Sequence, residues 1–383
     1  MSFEQGTATS YTDLLDKLDT FLLKGHALTP AYTGVGTGTI TSLIGTAASI
    51  QETITLTFTS ATAFGVSGSV TGAMGTGTVG TAFSHAKVAF TVAAGGTAWA
   101  NGDTISFVMT VPWVQKRGVA GSEYIWMAPG NANTDQIYVG AKTFTDSIGY
   151  YNWQLGGFTG YAAGVAFGQQ AGSIVNSTTL MGPVLPLWNA AIPYWFMANG
   201  RRVVVVAKIS TNYESAYLGF LETYASPGQW SYPLVVGGSM AFDVEPAAGS
   251  ISWSYSNATS SHSAFAKAWA DQPNDRSQLR LRRPDGLWRG FTASGYSVST
   301  GSIWPYANSM GDLRPNLDGS YPVLPIVLTE SAPNVFGRFD GVWATTGYSN
   351  ATENTMTIGR DTWLVVQNVF RNSKTDYFAI RMD

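Results

Sequence analysis

The segment that most constrains the fold is residues 33–112, which consist mainly of Thr, Gly, Ala, Val and Ser, with Glu52, Lys87 and Asp103 as the only charged residues. Within it, apolar residues alternate with Thr at positions 52–59, a period of two that is typical of a half-buried strand. The same alternation is present at residues 66–70, 87–92 and 104–108. Glycine-containing turns separate these predicted strands. The pattern predicts a small β-sandwich.

An amphipathic helix is predicted before this module, over residues 10–23. Leu14, Leu18 and Phe21 recur at helical spacing, and Ser10 or Thr12 provides an N-cap. The opposite face is predicted to be polar, with Asp13, Asp16, Lys17 and Asp19. Because a helix of roughly fourteen residues is marginal alone in water, it must dock either on its own chain or on a neighbour. Leu14, Leu18 and Phe21 are therefore candidate interaction residues.

The remainder of the chain is rich in aromatic residues and in short strand-like runs. The four consecutive valines of residues 201–210 suit a strand that is covered on both faces. Residues 355–359 and 362–370 predict a hairpin, residues 376–382 the last strand, and residues 263–270 one modest helix. The predicted fold class is mainly β, with a short N-terminal helix (1–31), a small Thr/Gly-rich β-sandwich module (32–112) and a larger aromatic-rich antiparallel β domain (113–383).

Composition narrows the range of functions. The chain has no cysteine, which excludes thiol nucleophiles, disulfides and cysteine-based metal sites. A net charge of −3 predicts no attraction to nucleic acid or to anionic lipid. No apolar run reaches the ~20 residues of a membrane-spanning helix, and residues 1–6 lack the features of a signal peptide. We expect no membrane insertion and no cofactor.

Catalytic signatures are weak. His26, His85 and His262 are scattered, and no known nucleophile, zinc or phosphate-loop motif surrounds them. A glycosidase needs two carboxylates close together, and the sequence offers two such pairs: Asp243 with Glu245, and Asp312 with Asp318. Ordinary solvated or turn-capping carboxylates explain both pairs equally well. We expect the protein not to be an enzyme.

Three further patterns have ordinary explanations. The glycines of residues 34–38 precede no helix, so tight turns explain them better than phosphate binding does. Asn133 with Asp135, and Asn316 with Asp318 and Ser320, are oxygen-rich but lack the spacing of a calcium loop. Self-capping turns are the commoner role of such residues.

A cluster of arginines lies between residues 276 and 289, and the acidic residues Asp271, Asp275 and Asp285 lie before and within it. Arginine suits carboxylate pairing at interfaces, so subunit contact is the preferred functional role, with a solvated face as the alternative. The candidate interaction residues are Arg276, Arg280, Arg282 and Arg283; Arg289 belongs to the same cluster.

Two sets of motifs resemble proteins of tailed bacteriophages. Residues 68–72, 78–83, 88–99 and 102–103 resemble a β module that recurs in their virion proteins. Residues 202–210, 217–220, 232–234 and 237–238 resemble a second phage structural pattern. Residues 340–343, 353–355, 367–371 and 376–383 match the end of the same pattern. The resemblance implies a structural subunit of a virion, and we expect a place in the tail, baseplate or neck.

On this interpretation the protein is assembled in the host cytoplasm and resides in the virion. Its partners are other virion proteins and copies of itself. High aromatic content with low charge agrees with a chain that buries surface against neighbours. The alternatives are a receptor- or glycan-binding tail component, whose exposed Trp and Tyr would stack on host surface sugars, and a capsid decoration protein.

Overall fold

The computed structural model describes residues 2–146, 149–174, 182–242, 263–265, 279–291, 302–304, 313–329 and 335–382. The fold is mainly β, as predicted, and every pairing between described strands is antiparallel. Three sheets form a layered body, and two smaller sheets form a separate sandwich.

The central sheet of the body has seven strands, in the spatial order β1 (Ser2–Ala8), β15 (Ile192–Ala198), β16 (Arg202–Ile209), β17 (Asn212–Phe220), β19 (Leu234–Gly237), β21 (Leu279–Arg282) and β22 (Trp288–Phe291). A six-stranded sheet covers one face with β10 (Val114–Val119), β11 (Glu123–Ala128), β12 (Ile137–Thr145), β13 (Tyr151–Phe158), β14 (Gly182–Leu187) and β20 (Met240–Phe242). A 3₁₀ turn, Phe167–Gln169, follows β13.

The other face of the central sheet is covered by the C-terminal sheet. Its strands are β23 (Ser302–Trp304), β24 (Val323–Thr329), β25 (Val335–Thr345), β28 (Tyr377–Arg381), β27 (Asp361–Gln367) and β26 (Thr355–Ile358), with the two-residue β18 (Glu222–Thr223) paired to β25. The predicted C-terminal hairpin and last strand are confirmed. The predicted helix over residues 263–270 lies almost entirely outside the described residues.

The valines of β16 explain why the body has two cores. Val203 and Val205 belong to the core shared with the six-stranded sheet, and Val204 and Val206 belong to the core shared with the C-terminal sheet. All four are at most 1 % exposed. Since successive side chains of a strand point to opposite faces, a run of apolar residues fits a strand between two layers.

The predicted N-terminal helix is present as α1 (Tyr11–Leu22). The Ser10 hydroxyl caps it by accepting a hydrogen bond from the backbone N–H of Asp13 at 3.1 Å. The preceding strand β1 was not predicted; it pairs with β15 from Ser2 opposite Ala198 to Ala8 opposite Ile192. Strand β1 and helix α1 are thus part of the body.

The Thr/Gly-rich module is a β-sandwich, as predicted. One sheet contains β2 (Ala31–Thr33), β9 (Thr104–Met109), β4 (Glu52–Phe58), β5 (Ala63–Gly68) and β6 (Gly72–Thr78), and the other contains β3 (Ile40–Gly45), β8 (Val88–Val92) and β7 (Ala82–His85). The run predicted at 66–70 is instead β5 and the start of its turn to β6. The two sheets enclose their own apolar core, in which Phe58 stacks on Trp99 at 4.1 Å.

Candidate assembly surfaces

The sandwich is inserted into the body between α1 and β10, and its two connections form a neck. Ala27, on the way in, bridges Met109, on the way out. Thr110 donates two hydrogen bonds to the carbonyl of His26, from its N–H at 2.9 Å and from its hydroxyl at 3.0 Å. The N–H of Ala27 donates to the Ser2 hydroxyl at 3.2 Å, so β1 also contributes to the neck.

His26 lies at the centre of this neck and is fully buried. Its ring packs against Phe21 at 5.1 Å, and neither ring nitrogen has a hydrogen-bond partner among the described residues. Burial lowers the pKa of His26 to about 3, and the positive charges of Lys24 and Arg202 act in the same direction. The imidazole is therefore neutral at physiological pH and contributes to the apolar packing of the neck. This is the structural role expected for a histidine without a motif around it.

A second attachment joins the sandwich to the C-terminal sheet, at the turn between β26 and β27. The Arg360 guanidinium donates a hydrogen bond to the carbonyl of Gly36 at 2.9 Å. The same group lies 4.6 Å from the centre of the Tyr32 ring, within the range of a cation–π contact. We call this contact the Arg360 clamp. Sequence reasoning did not find it, because its partners are 324 residues apart.

The glycine loop held by the Arg360 clamp is organised by an internal carboxylate. Asp103 accepts the backbone N–H groups of Val35 at 3.2 Å, Gly36 at 2.9 Å and Ala100 at 3.0 Å. These hydrogen bonds lower the pKa of Asp103. Gly34 has φ of +119°, which supports the predicted turn role of the loop glycines. The anionic group that these backbone amides bind is therefore the Asp103 carboxylate of the same chain.

The candidate interaction residues of the helix lie inside the chain. Leu14, Leu18 and Phe21 are 0 % exposed and belong to the core between the central and six-stranded sheets. The helix therefore docks on its own chain, the first of the two alternatives left open by the sequence. As folded, these three side chains are not available to a partner, which corrects their assignment as interaction residues.

The polar face of α1 also differs from the prediction. Asp19 is 9 % exposed and accepts the indole N–H of Trp126 at 2.7 Å. Asp16 accepts the Tyr124 hydroxyl at 2.8 Å and the N–H of Gly121 at 2.6 Å. Burial raises the pKa of Asp19. These carboxylates fasten the helix to the six-stranded sheet instead of facing solvent.

The arginine cluster lies on the β21–β22 hairpin at one end of the central sheet. Arg280 and Arg282 are half-buried on β21, and the Arg282 guanidinium lies 5.5 Å from the centre of the Tyr232 ring. Arg283 pairs with Asp285 at 3.2 Å in the turn. Arg276 lies outside the described residues. A subunit contact through these arginines stays a prediction.

The catalytic and metal-binding candidates do not come together in the described part of the chain. His85 lies at the end of β7, remote in sequence and sheet from His26 in the neck. His262, Asp243, Glu245 and Asp312 lie outside the described residues. Asp318 caps its own turn, accepting the N–H of Ser320 at 2.9 Å. Among the described residues, no group of three or more His, Cys, Asp or Glu side chains is arranged to hold a metal ion.

A cleft of about 420 Å³ opens where β1 and β15 face the C-terminal sheet. Glu353, at φ of +70°, forms part of its lining and accepts hydrogen bonds from the Lys208 ammonium at 2.6 Å and the Tyr213 hydroxyl at 2.5 Å. Trp195 contributes to the cleft but is only 8 % exposed, which leaves little ring surface for a sugar. Glycan binding therefore stays a prediction from the sequence.

Most tryptophans with described side chains are part of a core. Seven of them are buried: Trp99, Trp113, Trp126, Trp153, Trp195, Trp230 and Trp363. This favours core packing over exposed stacking platforms as the reason for the high tryptophan content. In the described part of the chain, no helix has the length and apolarity required to span a bilayer.

No protein-family model matches the chain, and no curated protein is significantly similar to it.

Proposed function

We propose that this protein is a structural subunit of a tailed-phage particle, acting through contacts with copies of itself and with other virion proteins. Its place is the tail, baseplate or neck of the particle. The phage-like motifs of residues 68–103 and 202–383 support this proposal. The observation that carries it is the attachment of the sandwich to the body at the neck and, beyond the neck, at the Arg360 clamp and at a hydrogen bond from the Gln51 side-chain amide to the Asn131 carbonyl.

Attachments beyond the neck matter because they define the orientation of a module. A sandwich with its own core, joined to the body only through the neck, could rotate about it. The Arg360 clamp and the hydrogen bond from Gln51 to Asn131 hold the sandwich at further points, so it presents its outer strands in one direction relative to the body. A fixed direction is what a repeated contact in a symmetric assembly requires.

The direct test is quantitative mass spectrometry of particles purified from the source phage. A fixed copy number, such as a multiple of three or six per particle, is expected for a tail, baseplate or neck subunit. A much larger number would indicate capsid decoration within the same structural class. Absence of the protein from particles would overturn the proposal.

A deletion tests the role of the sandwich itself. Ala27 and Met109 are bridged, so residues 28–108 can be replaced by a short glycine linker without stretching the body. This boundary retains Thr110, which is buried and bound to His26. We expect a folded body with the tryptophan fluorescence of a native core but reduced incorporation into particles or impaired attachment. Normal particles that carry the deletion would contradict a role for the module in assembly.

A further inference from the structure

The junction between the sandwich and the body contains buried oxygen atoms without a hydrogen-bond donor. Gln51 immediately precedes β4 of the sandwich, and its side-chain N–H donates to the Asn131 carbonyl of the body at 2.9 Å. The Oε1 atom of the same Gln51 amide is buried and has no hydrogen-bond partner among the described residues. The Oδ1 atom of Asn131 is buried and unpartnered in the same way. Buried oxygens without a donor are unfavourable, so these two atoms call for an electropositive partner.

A carboxylate borders the same part of the body. In the loop between β11 and β12, Oδ2 of Asp135 lies against Gly130, only 2.2 Å from the position that a Cβ on this glycine would take. The described residues supply the Asp135 carboxylate with no hydrogen bond or ion pair. Gln51 and Asp135 thus approach the neighbouring residues Gly130 and Asn131. We call Gln51, Asn131 and Asp135 the junction site.

The junction site differs from an ordinary self-capping turn. Asp318, in the other oxygen-rich turn of the sequence, accepts the N–H of Ser320 at 2.9 Å and its hydroxyl at 2.7 Å. Asp135 has no such donor in its own loop. The sequence analysis considered only Asn133 with Asp135, because Gln51 lies 80 residues before its partner in the loop. The structure therefore adds oxygen atoms that the sequence did not place there.

We infer that the junction site binds a calcium ion through Gln51 Oε1, Asn131 Oδ1 and the Asp135 carboxylate, with water as the remaining ligands. Oxygen ligands suit hard cations, and calcium accepts amide, carbonyl and carboxylate oxygens in a flexible arrangement. Magnesium demands a regular octahedron and is therefore a poorer match. Because the site has a single carboxylate, we expect weak binding, with a dissociation constant of roughly 0.1–1 mM.

Calcium at this position connects the two parts of the chain. Gln51 belongs to the sandwich, whereas Asn131 and Asp135 belong to the loop between β11 and β12 of the body. An ion that both parts share adds to the hydrogen bond between Gln51 and Asn131. Calcium binding therefore stabilises the docked orientation of the sandwich, which goes beyond the assembly role proposed above.

Isothermal titration calorimetry of the full-length chain, freed of metal with EGTA, tests the inference. Calcium chloride is expected to bind at one site with a dissociation constant of roughly 0.1–1 mM. At about 10 mM it is expected to raise the midpoint of thermal unfolding, because a ligand that binds only the folded state stabilises it. Magnesium chloride at the same concentration is the control for ionic strength. Absence of calcium binding, or an equal rise with magnesium, would overturn the inference.

Substitutions locate the ion. Asp135→Asn removes the only carboxylate of the junction site and is expected to weaken calcium binding by about tenfold or more. Asp318→Asn is the matched control, since its carboxylate is already bound within its own turn, and it should leave calcium binding unchanged. Asn131→Asp adds a second carboxylate and should tighten binding severalfold. Calcium binding that neither Asp135→Asn nor Asn131→Asp alters would refute the site.

Amide hydrogen exchange shows whether the ion connects sandwich and body. Calcium should slow exchange at residues 49–52 and at residues 130–135 together in the wild-type chain, and at neither segment in Asp135→Asn. Slowing at only one of the two segments would contradict a shared ion.

The calcium site and the virion assignment fail separately, because the calcium measurements use the purified chain. A chain that binds calcium at the junction site but is absent from particles would refute the virion assignment alone. A chain present at fixed copy number in particles, but without calcium binding, would refute the junction site alone.

Discussion

Replacing His26 tests the environment of the neck through the pH dependence of stability. Burial lowers the pKa of the folded-state imidazole from 6.5 to about 3. Between these two pKa values the unfolded chain binds a proton at His26 that the folded chain does not bind. The free energy of unfolding that depends on this group therefore falls as the pH decreases below 6.5. This stability is fully retained above pH 6.5 and is lost progressively towards pH 3.

The size of the effect follows from the two pKa values. At pH 5, protonation of the unfolded chain lowers the free energy of unfolding by about 2 kcal/mol, whereas at pH 7.5 the corresponding change is about 0.1 kcal/mol. His26→Gln removes the titrating group while retaining a polar side chain of similar size. Between pH 7.5 and 5, the wild-type chain should therefore lose about 2 kcal/mol more stability than the variant.

Urea unfolding followed by tryptophan fluorescence measures this difference, since several buried tryptophans lie near the neck and in both body cores. All other titrating groups are shared by the two proteins, so their contributions cancel. His85→Gln, on the surface of the sandwich, controls for the loss of a histidine as such. Equal losses of stability in wild type and His26→Gln would refute the reasoning, because they would mean that His26 accepts a proton without unfolding.

Two further substitutions test the attachments of the helix and the sandwich. Asp19→Asn retains an acceptor for the Trp126 indole N–H and removes a desolvated charge, whereas Asp19→Leu leaves that N–H without a partner. In urea unfolding at pH 7, we expect the leucine variant to be less stable than the asparagine variant by about 1–3 kcal/mol. Equal stabilities of the two variants would argue against the hydrogen bond. Arg360→Ala is expected to accelerate amide hydrogen exchange around Gly36, because it removes the clamp. Arg314→Ala is the control, since it removes a similar arginine that stacks on the Tyr348 ring, and it should leave exchange around Gly36 unchanged. Unchanged exchange in both variants would mean that the clamp does not restrain the loop.

Local periodicity was sufficient to predict many elements. The alternation of residues 52–59 corresponds to β4 within one residue, and the valine run corresponds to a strand between two cores. The spacing of Leu14, Leu18 and Phe21 placed α1 within one residue at each end. These features are encoded by neighbours in sequence, because side-chain direction follows directly from the helix or strand period.

Features that depend on distant partners were missed. Strand β1 has no clear alternation, and its partner β15 lies almost 190 residues away. Asp19 looks like a solvent-facing residue until Trp126, 107 residues later, supplies its hydrogen bond. The predicted boundary at residue 31 separated the helix from the body for the same reason: nothing between residues 1 and 31 indicates that their partners come after residue 113.

The attachments of the inserted sandwich bear directly on the proposed role in assembly. Ordering a loosely tethered module at the moment of contact would lose conformational entropy and weaken that contact. The neck and the Arg360 clamp impose that order in the free chain. The clamp lies beside β2, at one end of the five-stranded sheet, and leaves the other end of that sheet uncovered by the clamp. On the proposed function, releasing the clamp should therefore weaken incorporation into particles without unfolding the sandwich.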